Sequence, residues 1–213
     1  MTTADAAGTA PAPRCRMTRP ERREVLLGVG RRLFAERGYH GTSVGDIARE
    51  ARCSEAVLYQ HFAGKLELFL AVLEEQAGRM RERLLRGAEA DPEDPFGGIA
   101  RALGRRIVEP DVPDQLKLRS LAVTMTDDPV VRGALEGIRE SFIEVVGAAV
   151  RRSQATGRLR DDIDADHVVA IFAGLSFLGA FTCALGGDRE LRRLAPVAET
   201  LILMLTPTDR EAP

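Results

Sequence analysis

A chain of 213 residues that is 45% hydrophobic and 29% charged has the size and make-up of one or two folded globular domains, which excludes a fibrous or low-complexity protein. Its formal net charge of −2 gives no reason, taken over the whole chain, to expect a polyanion partner. Cys15, Cys53 and Cys183 are an odd number without CxxC spacing, which argues against a disulfide framework and suits reduced thiols in a cytoplasmic protein.

Residues 1–17 are rich in Ala, Thr and Pro and lack the apolar stretch of a signal peptide, so a disordered arm is expected there. Beyond it the apolar spacing is helical. Val25, Leu26, Val29, Leu33 and Phe34 recur at three and four, Pro20 suits a first helical turn, and Gly38 closes the helix. Ser43 opens a second helix, with Asp46 three positions on as a capping-box pair and Ile47 and Ala48 inward. The chain turns at Arg52 and Cys53 and restarts on Ser54, which caps a helix barely two turns long. So short a helix is marginal alone.

Gly64 breaks the chain again. Leu66 to Arg86 reads as a long helix with Leu66, Phe69, Leu70 and Leu73 inward, and Gly87 to Pro95 reads as a loop. Further helices are expected at about 96–108, 113–125, 128–155, 164–185 and 190–205, punctuated by Pro110, Pro113, Pro129, Gly157, Gly186 and Gly187. No alternating strand pattern and no internal repeat is visible. The expected fold is all-α, a three-helix head joined by one long helix to a larger bundle.

Charge is distributed unevenly over this plan. Residues 14–65 carry eleven basic and six acidic side chains, a net +5, whereas residues 66–213 are net −6. A basic end on an acidic body is the asymmetry expected where one end meets nucleic acid. Two short helices joined by a tight turn inside that end follow the helix-turn-helix plan, whose second helix lies in the major groove. Leu58 and Phe62 would hold it from behind. Tyr59, through its hydroxyl, and His61, through an N–H, can reach flanking phosphates, and Lys65 adds a cation. The bland alternative is that Tyr59 and His61 only cover the head's core.

The stretch TSVGDIAREARCSEAVLYQHFAGKLELF, residues 42–69, closely resembles the N-terminal region of TetR/AcrR-type transcriptional regulators. The resemblance rests on the Ser43-Val44 start, Ile47-Ala48, Ala51, Ser54, Leu58-Tyr59, His61-Phe62, Lys65 and Leu68-Phe69, with Phe34 and Gly38-Tyr39 upstream. It is specific over about residues 22–70; beyond, it extends only to length and helix count. It implies a homodimer with a helix-turn-helix DNA-binding domain at 18–65, a ligand-binding and dimerisation domain at 66–207, and a tail at 208–213. A repressor released from a palindromic operator by a small, largely apolar effector is the function it implies. The alternative is a DNA-binding dimer with no small effector, controlled by a protein partner or architectural. The chain departs from the family at Arg52, where glycine is common. A left-handed conformation costs a non-glycine residue about 1–2 kcal/mol, so Arg52 either accepts that strain or reshapes the turn, and it could gain a phosphate contact.

The DNA-binding candidates are therefore Ser43, Arg52, Ser54, Glu55, Ala56, Val57, Tyr59, Gln60, His61 and Lys65. Gly45 offers no side chain, so base edges would be read by Glu55, Ala56, Val57 and Gln60; Gln pairs with adenine, Glu accepts from cytosine, and Ala or Val touches a thymine methyl. An effector site between helices would draw on Met80, Leu84, Phe96, Leu103, Ile107, Leu121, Met125, Phe142, Val146, Phe172 and Ser176. Arg106 or Arg119 could meet an acidic effector there, but solvent is the favoured expectation for both.

Residues 168–187 are twenty residues without a charge, enough to span a bilayer. Interrupting glycines, acidic flanks and the lack of a second such segment favour a helix buried on both faces, one against its own core and one against a partner chain. The dimer interface is assigned to Gly174, Phe177, Leu178, Phe181, Leu201 and Met204, with no membrane partner. No HExxH, GxSxG, Walker or GxGxxG pattern is present, so no catalytic residue and no cofactor is assigned. Asp161, Asp162, Asp164 and Asp166 lack the central Gly and terminal Glu of a calcium loop, and are read as capping the penultimate helix rather than as a metal site.

Overall fold

The structure, a computed structural model, describes residues 17–106, 112–185, 196–197 and 200–207. Among the described residues every regular element is a helix: α1 (Arg19–Arg37), α2 (Val44–Glu50), α3 (Glu55–Tyr59), α4 (Lys65–Glu89), α5 (Pro95–Arg106), α6 (Val112–Val123), α7 (Pro129–Ala155) and α8 (Ala165–Ala184), followed by helical residues 200–205. The arm expected over 1–17, Met17 apart, the 208–213 tail and Ile107 lie outside the described residues.

Capping residues set the boundaries. Thr18 and Glu21 form a capping box on α1, and Ser43 and Asp46 form one on α2. The Ser54 hydroxyl accepts from the Val57 amide at the start of α3, and the Asp128 carboxylate accepts from Val130 at the start of α7. In the acidic cluster, Asp164 accepts from the Asp166 amide at the start of α8, while Asp162 takes a bidentate ion pair from Arg160 at 2.6 and 2.9 Å.

The expected loop at 87–95 is shorter than the sequence suggests, because α4 continues through Gly87 to Glu89. Gly87 is where α4 crosses α5: a Cβ there would stand 3.0 Å from the Ile99 Cα. The glycine serves helix contact, not helix termination.

Two hydrophobic cores lie along α4. The first gathers Leu26, Leu27, Leu33 and Phe34 of α1, Ile47, Leu58 and Phe62 of the helix-turn-helix, and Leu68, Phe69, Val72 and Leu73 of α4. Leu118 and Ala122 of α6 and Val131 of α7 complete it, so the head's core extends past residue 65 into the bundle. The second joins Leu84 to Phe96, Ile99, Val146, Val150, Val168 and Phe172, with the Phe96 and Phe172 rings edge-to-face at 5.2 Å. Buried Ser153 locks its far end, accepting from the Phe96 amide and donating to Asp94, both at 3.0 Å.

The joint between α2 and α3 answers the question raised by Arg52. Its φ is +52°, and it is the one non-glycine residue with positive φ among the described residues. The Cys53 amide donates to Ala48 O at 2.9 Å and the Arg52 amide to Arg49 O at 3.1 Å, the paired bonds of a Schellman motif with Arg52 in the left-handed position. The turn keeps the glycine-type geometry, and arginine accepts the strain. Arg52→Gly is expected to raise stability by about 1 kcal/mol in chemical denaturation. If Arg52 also contacts phosphate, the same variant binds operator more weakly and with a shallower salt dependence.

Candidate nucleic-acid interface and ligand cavity

Helix α3 is only five residues long, so its position is set by what it touches. Leu58 and Phe62 are fully buried behind it. Three arginines on α1 bracket the motif: Arg22 donates to Ala51 O at the end of α2 (3.3 Å), Arg19 donates to Gln60 O at the end of α3 (3.4 Å), and the Arg23 guanidinium lies 4.8 Å above the Phe62 ring. Glu55 leans over Gly45, where a Cβ would come within 2.9 Å of its carboxylate, so the missing side chain on α2 lets the two helices meet closely.

Ser43, Arg52, Ser54, Glu55, Ala56, Tyr59 and Gln60 are exposed, and Val57 and His61 are half-buried. Tyr59 is 53% exposed, which is hard to reconcile with an aromatic that only covers the core. Gln60 forms the C-cap of α3 rather than a residue within it. The Ser43 hydroxyl is committed to Asp46, donating to it at 2.6 Å while accepting from its amide. Those bonds to Ser43, more than the nearby Arg49, hold the Asp46 carboxyl below its usual pKa. Burial first, then the charges of Arg19, Arg23 and Arg22, lower the pKa of His61 from its ordinary value. His61 thus presents a neutral ring with one N–H at neutral pH, a donor rather than a cation.

Lys65 departs from its expected role. Its ammonium donates to Tyr39 O at 2.8 Å and Thr42 O at 2.9 Å and lies 4.2 Å from the Tyr39 ring centroid. Two of its three protons are spent tying the α1–α2 loop to the first residue of α4. The sequence could not reveal this, because the carbonyls it meets lie 26 and 23 residues away.

Between the two cores, α4, α6, α7 and α8 line a partly open cavity of about 690 Å³, within the usual range for small-molecule sites. Of the sequence candidates, Met80, Leu84, Phe142 and Ser176 line it. Phe96, Leu103, Val146 and Phe172 pack in or against the distal core, and Leu121 and Met125 against the head core, because their faces of α5 to α8 meet neighbouring helices. Arg119, expected in solvent, stands on the cavity wall, and burial lowers its pKa from the ordinary value. Sequence reasoning also missed Gln76, which lines the cavity and is 6% exposed, with neither amide atom hydrogen-bonded. A signal was available: Gln76 interrupts the inward stripe Val72, Leu73, Met80, Leu84.

On α8, Gly174 is exposed with open space beside it, and Phe177, Leu178 and Phe181 are 59%, 45% and 54% exposed. Ile171, Leu185, Leu203 and Met204 extend this uncovered apolar face, and Leu201 is half-buried. The window Ala165–Thr182 is long and apolar enough to cross a bilayer by length and composition, and only 28% of it is buried within the chain.

The family profile of bacterial regulatory proteins, tetR family, matches residues 26–72. The chain is 34% identical over 176 residues to the HTH-type transcriptional activator FasR of Mycolicibacterium smegmatis, covering 72% of this chain and 80% of FasR. It is 28% identical over 191 residues to the HTH-type transcriptional repressor AcnR of Corynebacterium diphtheriae, covering 88% of this chain and 94% of AcnR. Among solved structures, the complex of SmeT, the repressor of the Stenotrophomonas maltophilia multidrug efflux pump SmeDEF, with triclosan superposes with a TM-score of 0.75 at 17% identity, over 90% of this chain and 95% of that one.

Lys65→Ala is expected to destabilise the protein by about 1.5–3 kcal/mol, the range for hydrogen bonds to a charged group. Its operator affinity at low temperature should change little in salt dependence. A clear fall in the salt slope with unchanged stability would return Lys65 to the phosphate contacts.

Proposed function

As the chain belongs to the TetR family of bacterial transcriptional regulators, we propose that it represses transcription as a homodimer on a palindromic operator and is released by a small effector held between its two cores. DNA binding and regulation follow from the family; the dimer, the operator symmetry, the sign and the effector are this reading. Relatives named activator and repressor both occur, so repression is argued from mechanics. The α3 helices of two heads would occupy successive major-groove faces about 34–36 Å apart, or a multiple of that. Glu55, Ala56, Val57 and Gln60 would meet base edges, while Tyr59, His61 and Arg52 would meet phosphate. A ligand that moves the heads off that spacing weakens binding.

The observation that carries this reading is the place of the cavity. Its wall runs along α4 from Leu73, in the head core, to Leu84, in the distal core, and α6 and α7 also contribute to both the wall and the head core. A ligand there pushes on the helices on which the head is built. The ligand-bound SmeT structure, of the same fold, is consistent with a small-molecule site in this scaffold.

The dimer is assigned to α8 and the 200–205 helix. The uncovered stripe of Ile171, Phe177, Leu178, Phe181 and Leu185 is more apolar surface than a monomer in water tolerates. Two helices from each chain would make an intermolecular four-helix bundle about a twofold axis.

Footprinting should show a protected inverted repeat near a promoter whose transcription rises when the gene is deleted; a fall would identify activation instead. Phe177→Asp and Leu178→Asp should each sediment as monomers at micromolar concentration and bind operator poorly while the helical content is kept; a persistent dimer would move the interface elsewhere. Gly137 faces the cavity with open space beside it, so Gly137→Leu should fill it without disturbing the packing. An organic extract of the host should release the wild-type protein from its operator and fail to release this variant. If both are released alike, the cavity is not the effector site.

A further inference from the structure

The polar groups in the cavity wall are not those of a general apolar pocket. The Arg119 guanidinium stands on α6 with no ion pair or hydrogen bond to any described residue. Gln76 faces the same cavity from α4, buried, with both its carbonyl oxygen and its amide nitrogen unbonded. The remaining charged residues of the wall, Glu74, Arg81 and Arg139, are exposed at its rim, and Arg139 pairs with Glu140 at 4.0 Å, so Arg119 is the cation set back from solvent. The rest of the wall is mainly aliphatic, with Leu73, Met80, Leu84, Leu116, Ile138 and Phe142.

We propose that the cavity selects an anionic amphiphile, with an apolar body against the aliphatic wall and a carboxylate seated on Arg119 and met by the Gln76 amide. This rests on the reading of the cavity as the effector site and adds the class of ligand. A guanidinium presents a planar fork of N–H donors that fits a carboxylate with two parallel bonds, and it is more easily dehydrated than an ammonium. A half-buried cation without a carboxylate of its own is an unbalanced charge, and an anion restores the balance with partly desolvated contacts. Burial acts in the same sense: it lowers the Arg119 pKa with no acidic neighbour to offset it. A cationic ligand would meet the like charge of Arg119. A neutral ligand would leave the Arg119 charge uncompensated.

The test uses three probes with one apolar chain and different heads: decanoate, 1-decanol and decyltrimethylammonium, titrated calorimetrically into the full-length protein. Decanoate is expected to bind at least about tenfold more tightly than decanol, the effect of a hydrogen-bonded charge pair, and the ammonium most weakly. Arg119→Met keeps the length and apolar stem of the side chain; it should erase the preference for decanoate and leave the affinity for decanol within about twofold. Gln76→Leu should weaken decanoate binding less than Arg119→Met does and raise the melting temperature of the free protein, which reports that the variant is folded. If decanol or the ammonium binds as tightly as decanoate, or if Arg119→Met keeps the preference, the anionic assignment is overturned while the cavity remains an effector site. If none of the three binds, the assignment is overturned as well, and the Gly137→Leu release experiment decides the effector reading separately.

Discussion

Helices α4 and α7 have to serve two hydrophobic cores at once, and the rest of the structure depends on that constraint. Leu68 to Leu73 of α4 and Val131 of α7 close the head core; Leu84 of α4 and Val145 to Val150 of α7 close the distal one. Between these ends the same helices line a cavity instead of packing against neighbours. Protein interiors are otherwise close-packed and transmit strain, so a gap bounded by two rigid clusters is a place where a small volume change has a direction. It can separate the helices there more easily than it can deform either core.

The head is built to respond to such a push as a body. A five-residue helix has little stability of its own, so α3 is held against the head by Leu58, Phe62 and the arginines of α1. Lys65 is the first residue of α4, and its ammonium grips the loop between α1 and α2. Motion of α4 therefore carries that loop with it. The Schellman turn at Arg52 fixes the angle between α2 and α3 by backbone bonds, independent of side-chain packing. The reading surface would then move without bending, and for the proposed pair of heads matched to a fixed groove spacing, displacement alone would be enough to lose affinity.

Much of this was legible in the sequence because it is written in local patterns. The capping box of Ser43 with Asp46 is a local signal, and the apolar stripe of α1 repeats every three or four residues. The exposed face of α8 was also legible, since a helix apolar all round has more surface than one core can cover. What stayed hidden depends on contacts between residues far apart in the chain. Lys65 read as a free cation, because nothing near it in sequence identifies the Tyr39 and Thr42 carbonyls as its partners. Gly87 read as a helix end, because the close approach of Ile99 is a tertiary fact. Six of the eleven effector candidates pack in or against the cores, because an apolar residue facing a cavity and one facing a neighbour have the same periodicity. The polar residues that distinguish a cavity, Gln76 and Arg119, are the ones a search for apolar lining passes over.

Those two residues also set the energetic scale of a switch. Leaving a buried polar group without a partner costs about 1–3 kcal/mol, and the coupling free energy between two sites in a typical allosteric protein has the same size. The Gln76 amide is such a group in the ligand-free chain, and Arg119 is a partly desolvated cation without a counter-charge. In the proposed complex a carboxylate would accept from the Gln76 NH2 and from Arg119 and so recover part of that free energy. Recovery alone does not regulate: a ligand that binds the DNA-competent and displaced arrangements equally well shifts nothing, however tightly it binds. Gln76 stands on α4 and Arg119 on α6, so one head group bonded to both fixes the distance between two helices that also build the head core. In the proposed complex the polar anchor would discriminate between arrangements, because a single carboxylate can meet both side chains over only a limited range of α4–α6 spacing. On this proposal the apolar body would supply affinity in either arrangement, and the bridge across the two helices would turn that affinity into a change of shape.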